Sequence, residues 1–310
     1  MFIKTHRSLI AILMILAFVI AGCGGSPAQA PKEPPKAAAP AVDAVAATKE
    51  AAWDGYKKMV AENTAKTFPL GADKVLEVTK GNEAKYLFID MRAPEDYAKG
   101  HVKGAVNLPA GKMAENLARL PKDKTLVVYC YSGQNSGLAM VPLKAYGYKA
   151  ISVSKGYPEI EKAGFATDTA AVEFKAAEAK PSADPKVAAA EKGIQEAFDA
   201  LAKQAAGKTL IVAADEVNKV VSASPDKHII VDLRLAEDYA KGHIKGSVNI
   251  PLAQLSDKVG TLAKDKTLVL YCYSGQTAAM ATVPLKVEGF KLMSISTGYP
   301  AAEKGGFAIE

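Results

Sequence analysis

Leu126-Val-Val-Tyr-Cys-Tyr-Ser-Gly-Gln134 returns, at an offset of 142 residues, as Leu268-Val-Leu-Tyr-Cys-Tyr-Ser-Gly-Gln276. Each copy is a short apolar run of strand-forming residues that ends in one cysteine and a polar, glycine-containing loop. Such a run, bounded by a turn signal, reads as a buried parallel strand. The cysteine then stands at the carboxyl end of the strand, the edge of an open α/β sheet where ligands bind.

Working outward, the same offset aligns the chain with itself without a gap. Asp90-Met-Arg92 meets Asp232-Leu-Arg234, and Glu95-Asp-Tyr-Ala-Lys-Gly-His101 meets Glu237-Asp-Tyr-Ala-Lys-Gly-His243. Lys155-Gly-Tyr-Pro158 meets Thr297-Gly-Tyr-Pro300, and Gly164-Phe165 meets Gly306-Phe307. The period is too long for a solenoid and implies two domains. Tyr86–Ile89 and His228–Val231 read as further buried strands, as do Ala150–Val153 and Leu292–Ile295. Met113–Leu120 and Gly137–Tyr146 read as helices between them, a strand–helix rhythm that specifies an α/β fold. Pro142 and Pro284 predict a kinked or late-starting helix after each cysteine. Two helical leaders, about 44–64 and 186–206, precede the units. Each is able to pack on its own domain or to bridge the two.

The N-terminus has another logic. Lys4 and Arg7 precede the apolar run Leu9–Ile20, then Ala21-Gly22-Cys23. This is the plan of an export signal, too short to span a bilayer comfortably. Ile20-Ala21-Gly22-Cys23 resembles the lipobox of bacterial lipoproteins, which implies lipidation of Cys23. The expected organisation is a signal peptide over 1–22, a flexible Ala- and Pro-rich tether over 23–43, and leader plus domain 1 over 44–166. A linker over 167–185 and leader plus domain 2 over 186–310 complete it. The expected location is the cell envelope, lipid-anchored on a periplasmic or extracellular face. Gly24 points to the outer membrane if the bacterium has two. The formal net charge of +6 is modest and its lysines are interspersed with acids, a pattern unlike a nucleic-acid-binding surface.

With Cys23 lipidated, Cys130 and Cys272 are the remaining thiols. Exported proteins usually pair their cysteines or omit them, so two that are retained need a reason. A bridge between them would require the two domains to bring both sulfurs face to face. The alternative is chemical. A glycine loop lets backbone N–H groups point at the sulfur, and the following helix presents its positive end. Both favour an anionic thiolate, and equally an anionic persulfide. His101 and His243 fit hydrogen-bonded structural roles. One cysteine and one or two histidines per domain fall short of a closed zinc site.

Asp-x-Arg, Glu-Asp-Tyr-x-x-Gly-His, Val-Asn-(Leu/Ile)-Pro, Tyr-Cys-Tyr-Ser-Gly and Gly-Tyr-Pro together resemble the rhodanese (sulfurtransferase) family. The resemblance covers about 70–166 and 212–308. It implies two tandem α/β domains, each a parallel sheet with helices on both faces. It also implies a sulfurtransferase without a cofactor, in which Cys130 and Cys272 take a sulfane sulfur as a persulfide and pass it to a thiol acceptor. Tyr131, Ser132, Gly133, Gln134 and Asn135 would line the donor site of the first domain. Tyr273, Ser274, Gly275, Gln276 and Thr277 would line that of the second. Asp90, Arg92, Asp232 and Arg234 would brace the loops. The family's thiosulfate-using members often carry a loop arginine and neither loop here has a basic residue, so the donor is left open among thiosulfate, a persulfide and a polysulfide. A phosphatase of this fold would need Cys-x5-Arg, but Ser136 and Ala278 stand at the sixth position after each cysteine. A non-catalytic binding or scaffold module at the membrane surface is the alternative reading.

Overall fold

The computed structural model describes residues 42–64 and 69–310. The expected signal peptide, Cys23 and most of the expected tether lie outside them. In the first domain six strands form, β1 (Tyr86–Asp90), β2 (His101–Val102), β3 (Val106–Asn107), β4 (Thr125–Tyr129), β5 (Ala150–Ser152) and β6 (Thr167–Asp168). The main sheet is parallel throughout, in the order β3-β1-β4-β5, and Leu70 adds a parallel bridge to Val153 at its edge. Its helices are α1 (Ala44–Thr64), α2 (Ala72–Thr79), α3 (Pro94–Lys99), α4 (Ala110–Asn116), α5 (Gln134–Ala145) and α6 (Tyr157–Lys162).

The second domain repeats the plan with α7 (Pro185–Ala206), β7 (Ile211–Val212), α8 (Ala214–Ala223), β8 (His228–Asp232), α9 (Ala236–Tyr239) and β9 (Val248–Asn249). There follow α10 (Leu255–Lys258), β10 (Thr267–Tyr271), α11 (Gln276–Met280), α12 (Thr282–Val287), β11 (Lys291–Ile295) and α13 (Tyr299–Lys304). Its sheet is parallel in the order β7-β11-β10-β8-β9. Both sheets carry helices on both faces.

Strand alternation decides where each cysteine points. Side chains of a strand face opposite sides in turn. On β4, Val127 and Tyr129 join a core with Val75 of α2 and Ile160 of α6. Leu126, Val128 and, next in phase, Cys130 face the other way. In the second domain Val269 and Tyr271 pack with Val217 and Ala302, and Leu268, Leu270 and Cys272 face away from them. The second set from each domain enters one shared core, so the cysteine faces of the two sheets look toward each other.

The leader helices seal this shared core by bridging. α1 packs on α5 of its own domain, yet its Tyr56 hydroxyl donates to Leu252 O of the other. Its Trp53 Nε1 and Lys49 Nζ reach Glu288 at 3.2 Å each. α7 packs in turn on α4, and Tyr146 donates to Glu191 O at 2.7 Å. Tyr56 and Phe198, matched by the repeat, are both fully buried here. Truncating either would cost about 3–5 kcal/mol, the usual penalty for an aromatic core residue.

The expected kink takes different forms in the two copies. α5 runs through Pro142 unbroken, whereas its counterpart divides at Ala281 into α11 and α12. The copies differ there at Thr282, which stands where the first copy has Met140. Its hydroxyl donates to Ala279 O at 2.6 Å, competing with the helical ladder. The segment from 167 is also more ordered than a plain linker. Thr167–Asp168 pair antiparallel with His101–Val102, and Ala177 donates to Arg119 O.

Candidate active site

Each cysteine leaves the central strand of its sheet and enters a turn that folds back on the sulfur. Gly133 N donates to Cys130 Sγ at 3.1 Å, and Gly275 N donates to Cys272 Sγ at 3.2 Å. Both glycines are left-handed, with φ of 89° and 82°, a conformation that side chains resist. The turn thus aims an N–H at the sulfur and starts the next helix in one step. Both sulfurs are shielded, Cys130 being 3% and Cys272 1% exposed, and both thiols are free. Tyr131 and Tyr273 stand outside, 66% and 49% exposed, at the rim of each loop.

A second turn clamps the loop from behind. Tyr157 N donates to Cys130 O at 2.8 Å, and Tyr299 N to Cys272 O at 2.8 Å. The preceding glycines press so closely that a Cβ on Gly156 or Gly298 would lie 2.3 Å from the cysteine carbonyl oxygen. The Gly-Tyr-Pro repeat marks this clamp in the sequence, though its contact with the cysteine loop is visible only in three dimensions.

The Asp-x-Arg pairs hold the clamp. Arg92 Nη2 lies 2.7 Å from Asp90 Oδ2, with Nε 3.0 Å from the same oxygen, and a third bond reaches Gly100 O. The guanidinium carbon sits 3.5 Å from the centroid of the Tyr157 ring. Arg234 pairs with Asp232 at 2.6 Å and stacks on Tyr299 at 3.9 Å. Burial works against the charge on each arginine, but hydrogen bonding and attraction from its aspartate outweigh it and raise its pKa above the ordinary value. These cations are 6% and 4% exposed and already neutralised, so their contacts are with the scaffold.

The remaining loop residues divide. Ser132, Asn135, Ser274 and Thr277 stay half-buried beside their own cysteines in sequence. Gln134 and Gln276 are 2% and 1% exposed, and their side chains cross to the other domain. Gln276 Nε2 donates to Ser152 Oγ at 2.8 Å and to Val153 O at 3.1 Å. Gln134 Oε1 accepts from Thr297 N at 3.4 Å. The carboxamide of Gln276 lies over Gly133 and that of Gln134 over Gly275, each within 3 Å of where a Cβ would stand. The loop glycines therefore serve twice, for the turn and for the neighbour's glutamine. His101 and His243 bond through Nδ1 to Tyr97 O and Tyr239 O and stack on the same tyrosines.

The family profile described as "Rhodanese-like domain" matches residues 72–163 and 213–304, more than half of the chain. The chain belongs to the rhodanese-like family. Among similar proteins, the thiosulfate sulfurtransferase PspE of Escherichia coli (strain K12) is 39% identical over 75 residues, 24% of this chain and 72% of that protein. The sulfurtransferase of Allochromatium vinosum is 33% identical over 70 residues, 23% of this chain and 65% of that protein. For the putative sulfur carrier protein YrkF of Bacillus subtilis (strain 168) the match is 37% over 62 residues, 20% of this chain and 34% of that protein. A crystal structure of thiosulfate sulfurtransferase from Pseudomonas aeruginosa aligns with 83% of this chain and 47% of its own, at 18% identity and a TM-score of 0.35. In both rhodanese-like domains here the loop cysteine is present, and so is the clamp behind it.

Proposed function

We propose that this protein is an exported, lipid-anchored sulfurtransferase or persulfide carrier in which Cys130 and Cys272 each hold a sulfane sulfur. The observation that carries the reading is the backbone donor aimed at each sulfur, Gly133 N to Cys130 and Gly275 N to Cys272. A buried anion needs such donors, and a thiolate or persulfide is anionic. The thiolate attacks the outer sulfur of a donor, the donor's own sulfur–sulfur bond breaks, and the donor leaves as a thiolate or sulfite. An acceptor thiolate then attacks the outer sulfur of the cysteine persulfide and restores the enzyme. No electrons enter or leave, so no cofactor is required.

The donor we favour is a low-molecular-weight persulfide or polysulfide. A doubly charged donor such as thiosulfate would call for a free cation. Neither loop supplies one, and Arg92 and Arg234 are committed to Asp90 and Asp232. Single variants Cys130→Ser and Cys272→Ser, given thiosulfate or glutathione persulfide with a thiol acceptor, test this. Faster turnover with the persulfide is expected at both sites, and a clear preference for thiosulfate would refute the donor assignment. For the anchor, Cys23→Ser should move the protein from the detergent phase to the aqueous phase. A variant that still partitions with detergent would remove the lipid tether from the account.

A further inference from the structure

The two loops differ beneath their cysteines. In the first domain a line of donors runs in from the second. Gln276 Nε2 faces Val153 O, which can only accept, so the amide nitrogen is the group pointing there, and it also donates to Ser152 Oγ. Ser152 therefore keeps its own hydrogen for Ser136 Oγ, 2.9 Å away. Ser136 in turn has one hydrogen to give. It reaches Gly133 O at 3.0 Å, and Cys130 Sγ lies 3.9 Å from the same hydroxyl. In the second domain Ala278 replaces Ser136, and the chain is broken. Ser294, the counterpart of Ser152, is left with a buried hydroxyl that has no partner, and Gln134 Nε2 is likewise buried without one.

We propose that Gln276, Ser152 and Ser136 form a donor relay across the domain interface that stabilises anionic sulfur on Cys130, and that Cys272 has no such relay. Ser136 and Gln276 are then positioning residues acting through hydrogen bonds. An anionic sulfur can only accept, so the Ser136 hydrogen turns from Gly133 O toward it, and each upstream donor polarises the next. Gln276 directly follows Gly275, whose N–H bonds Cys272, so one residue's backbone and the next one's side chain serve opposite sulfurs. The inference rests on the sulfur-carrier reading for its purpose. Its test uses no sulfur transfer, so the two can fail separately.

The test is alkylation of the full chain by iodoacetamide at neutral pH, with rates at Cys130 and Cys272 read from their peptides and thiolate absorbance followed in parallel. Ser136→Ala, which leaves the glutamine contacts in place, should slow Cys130 about three- to tenfold, the scale of one ordinary net hydrogen bond. Gln276→Leu should slow it similarly, and the pair should be no slower than either alone. Ala278→Ser supplies the missing hydroxyl to Ser294, and should speed Cys272 by a comparable factor. A Cys130 rate within about twofold of wild type in Ser136→Ala would overturn the relay on the same scale. So would additive losses, an unmoved Cys272 in Ala278→Ser, or equal slowing of both cysteines by Gln276→Leu, which would mark a loosened interface.

Discussion

Replacing Gly156 by alanine attacks the clamp behind Cys130 at its tightest point. Gly156 has φ 72° and ψ −150°, a region populated almost only by glycine, so any side chain is strained there by about 1–3 kcal/mol. The new Cβ would also stand 2.3 Å from Cys130 O and 2.6 Å from Tyr131 O, both backbone atoms of the cysteine loop. Relieving such a contact by moving backbone adds about 1–3 kcal/mol, the usual cost of overpacking. Gly156→Ala should therefore lose about 2–6 kcal/mol in urea unfolding, the sum of those two effects. It should also displace the loop, so that Gly133 N no longer reaches the sulfur. The chemical readout is sulfur loading resolved by peptide, with Cys130 failing and Cys272 retaining its charge. Gly111→Ala is the internal control, since nothing lies within 4 Å of its added methyl and it sits in α4. Its expected effect is neutral to stabilising by up to about 1 kcal/mol. If Gly156→Ala proved as stable as that control and loaded Cys130 normally, the clamp would be wrong.

Other perturbations follow from the same contacts. Asp90→Asn leaves the Arg92 charge buried with half its partner, and should destabilise by about 3–5 kcal/mol in urea unfolding, as breaking a buried pair does. Tyr56→Phe strands the Leu252 carbonyl in the shared core and should cost about 1–3 kcal/mol by the same assay. At Glu288 burial opposes ionisation, but hydrogen bonds from Lys264, Trp53 and Lys49 outweigh it and hold the carboxyl below the usual range. A depressed carboxyl lends stability that is present at neutral pH and lost as pH falls through its folded-state pKa. Glu288→Gln should thus be less stable by about 1 kcal/mol at pH 7, given its partial exposure, and the difference should close in acid. A gap that widened as pH fell would refute the sign.

Much of the architecture was legible because it depends on short-range pattern. Leu126–Tyr129 and Leu268–Tyr271 are apolar on both faces, which only a buried parallel strand requires, and the structure has them as β4 and β10. The loop after each was legible from its glycine. Ser152 and the Gly156 clamp were not, because β5 and the turn after it come back to the cysteine loop only in three dimensions. The crossing of Gln134 and Gln276 was beyond reach for a further reason. It depends on how two domains dock, and a local pattern carries no information on docking. The difference between Ser136 and Ala278 was visible as a difference between copies, but its meaning needed Ser152 and Ser294 beside it. Pro142 and Pro284 were legible, but that α5 stays continuous while its counterpart divides at Ala281, beside the Thr282 hydroxyl bond, was not.

The central claim is that both loop cysteines carry sulfur, and the most direct measurement is mass. The full chain, exposed to glutathione persulfide and then digested, should show one added sulfur atom on the Cys130 peptide and one on the Cys272 peptide, both removed by a thiol reductant. In the double variant Cys130→Ser with Cys272→Ser neither peptide should gain mass. Unmodified peptides in the wild-type chain, or an equal gain in the double variant, would contradict the account.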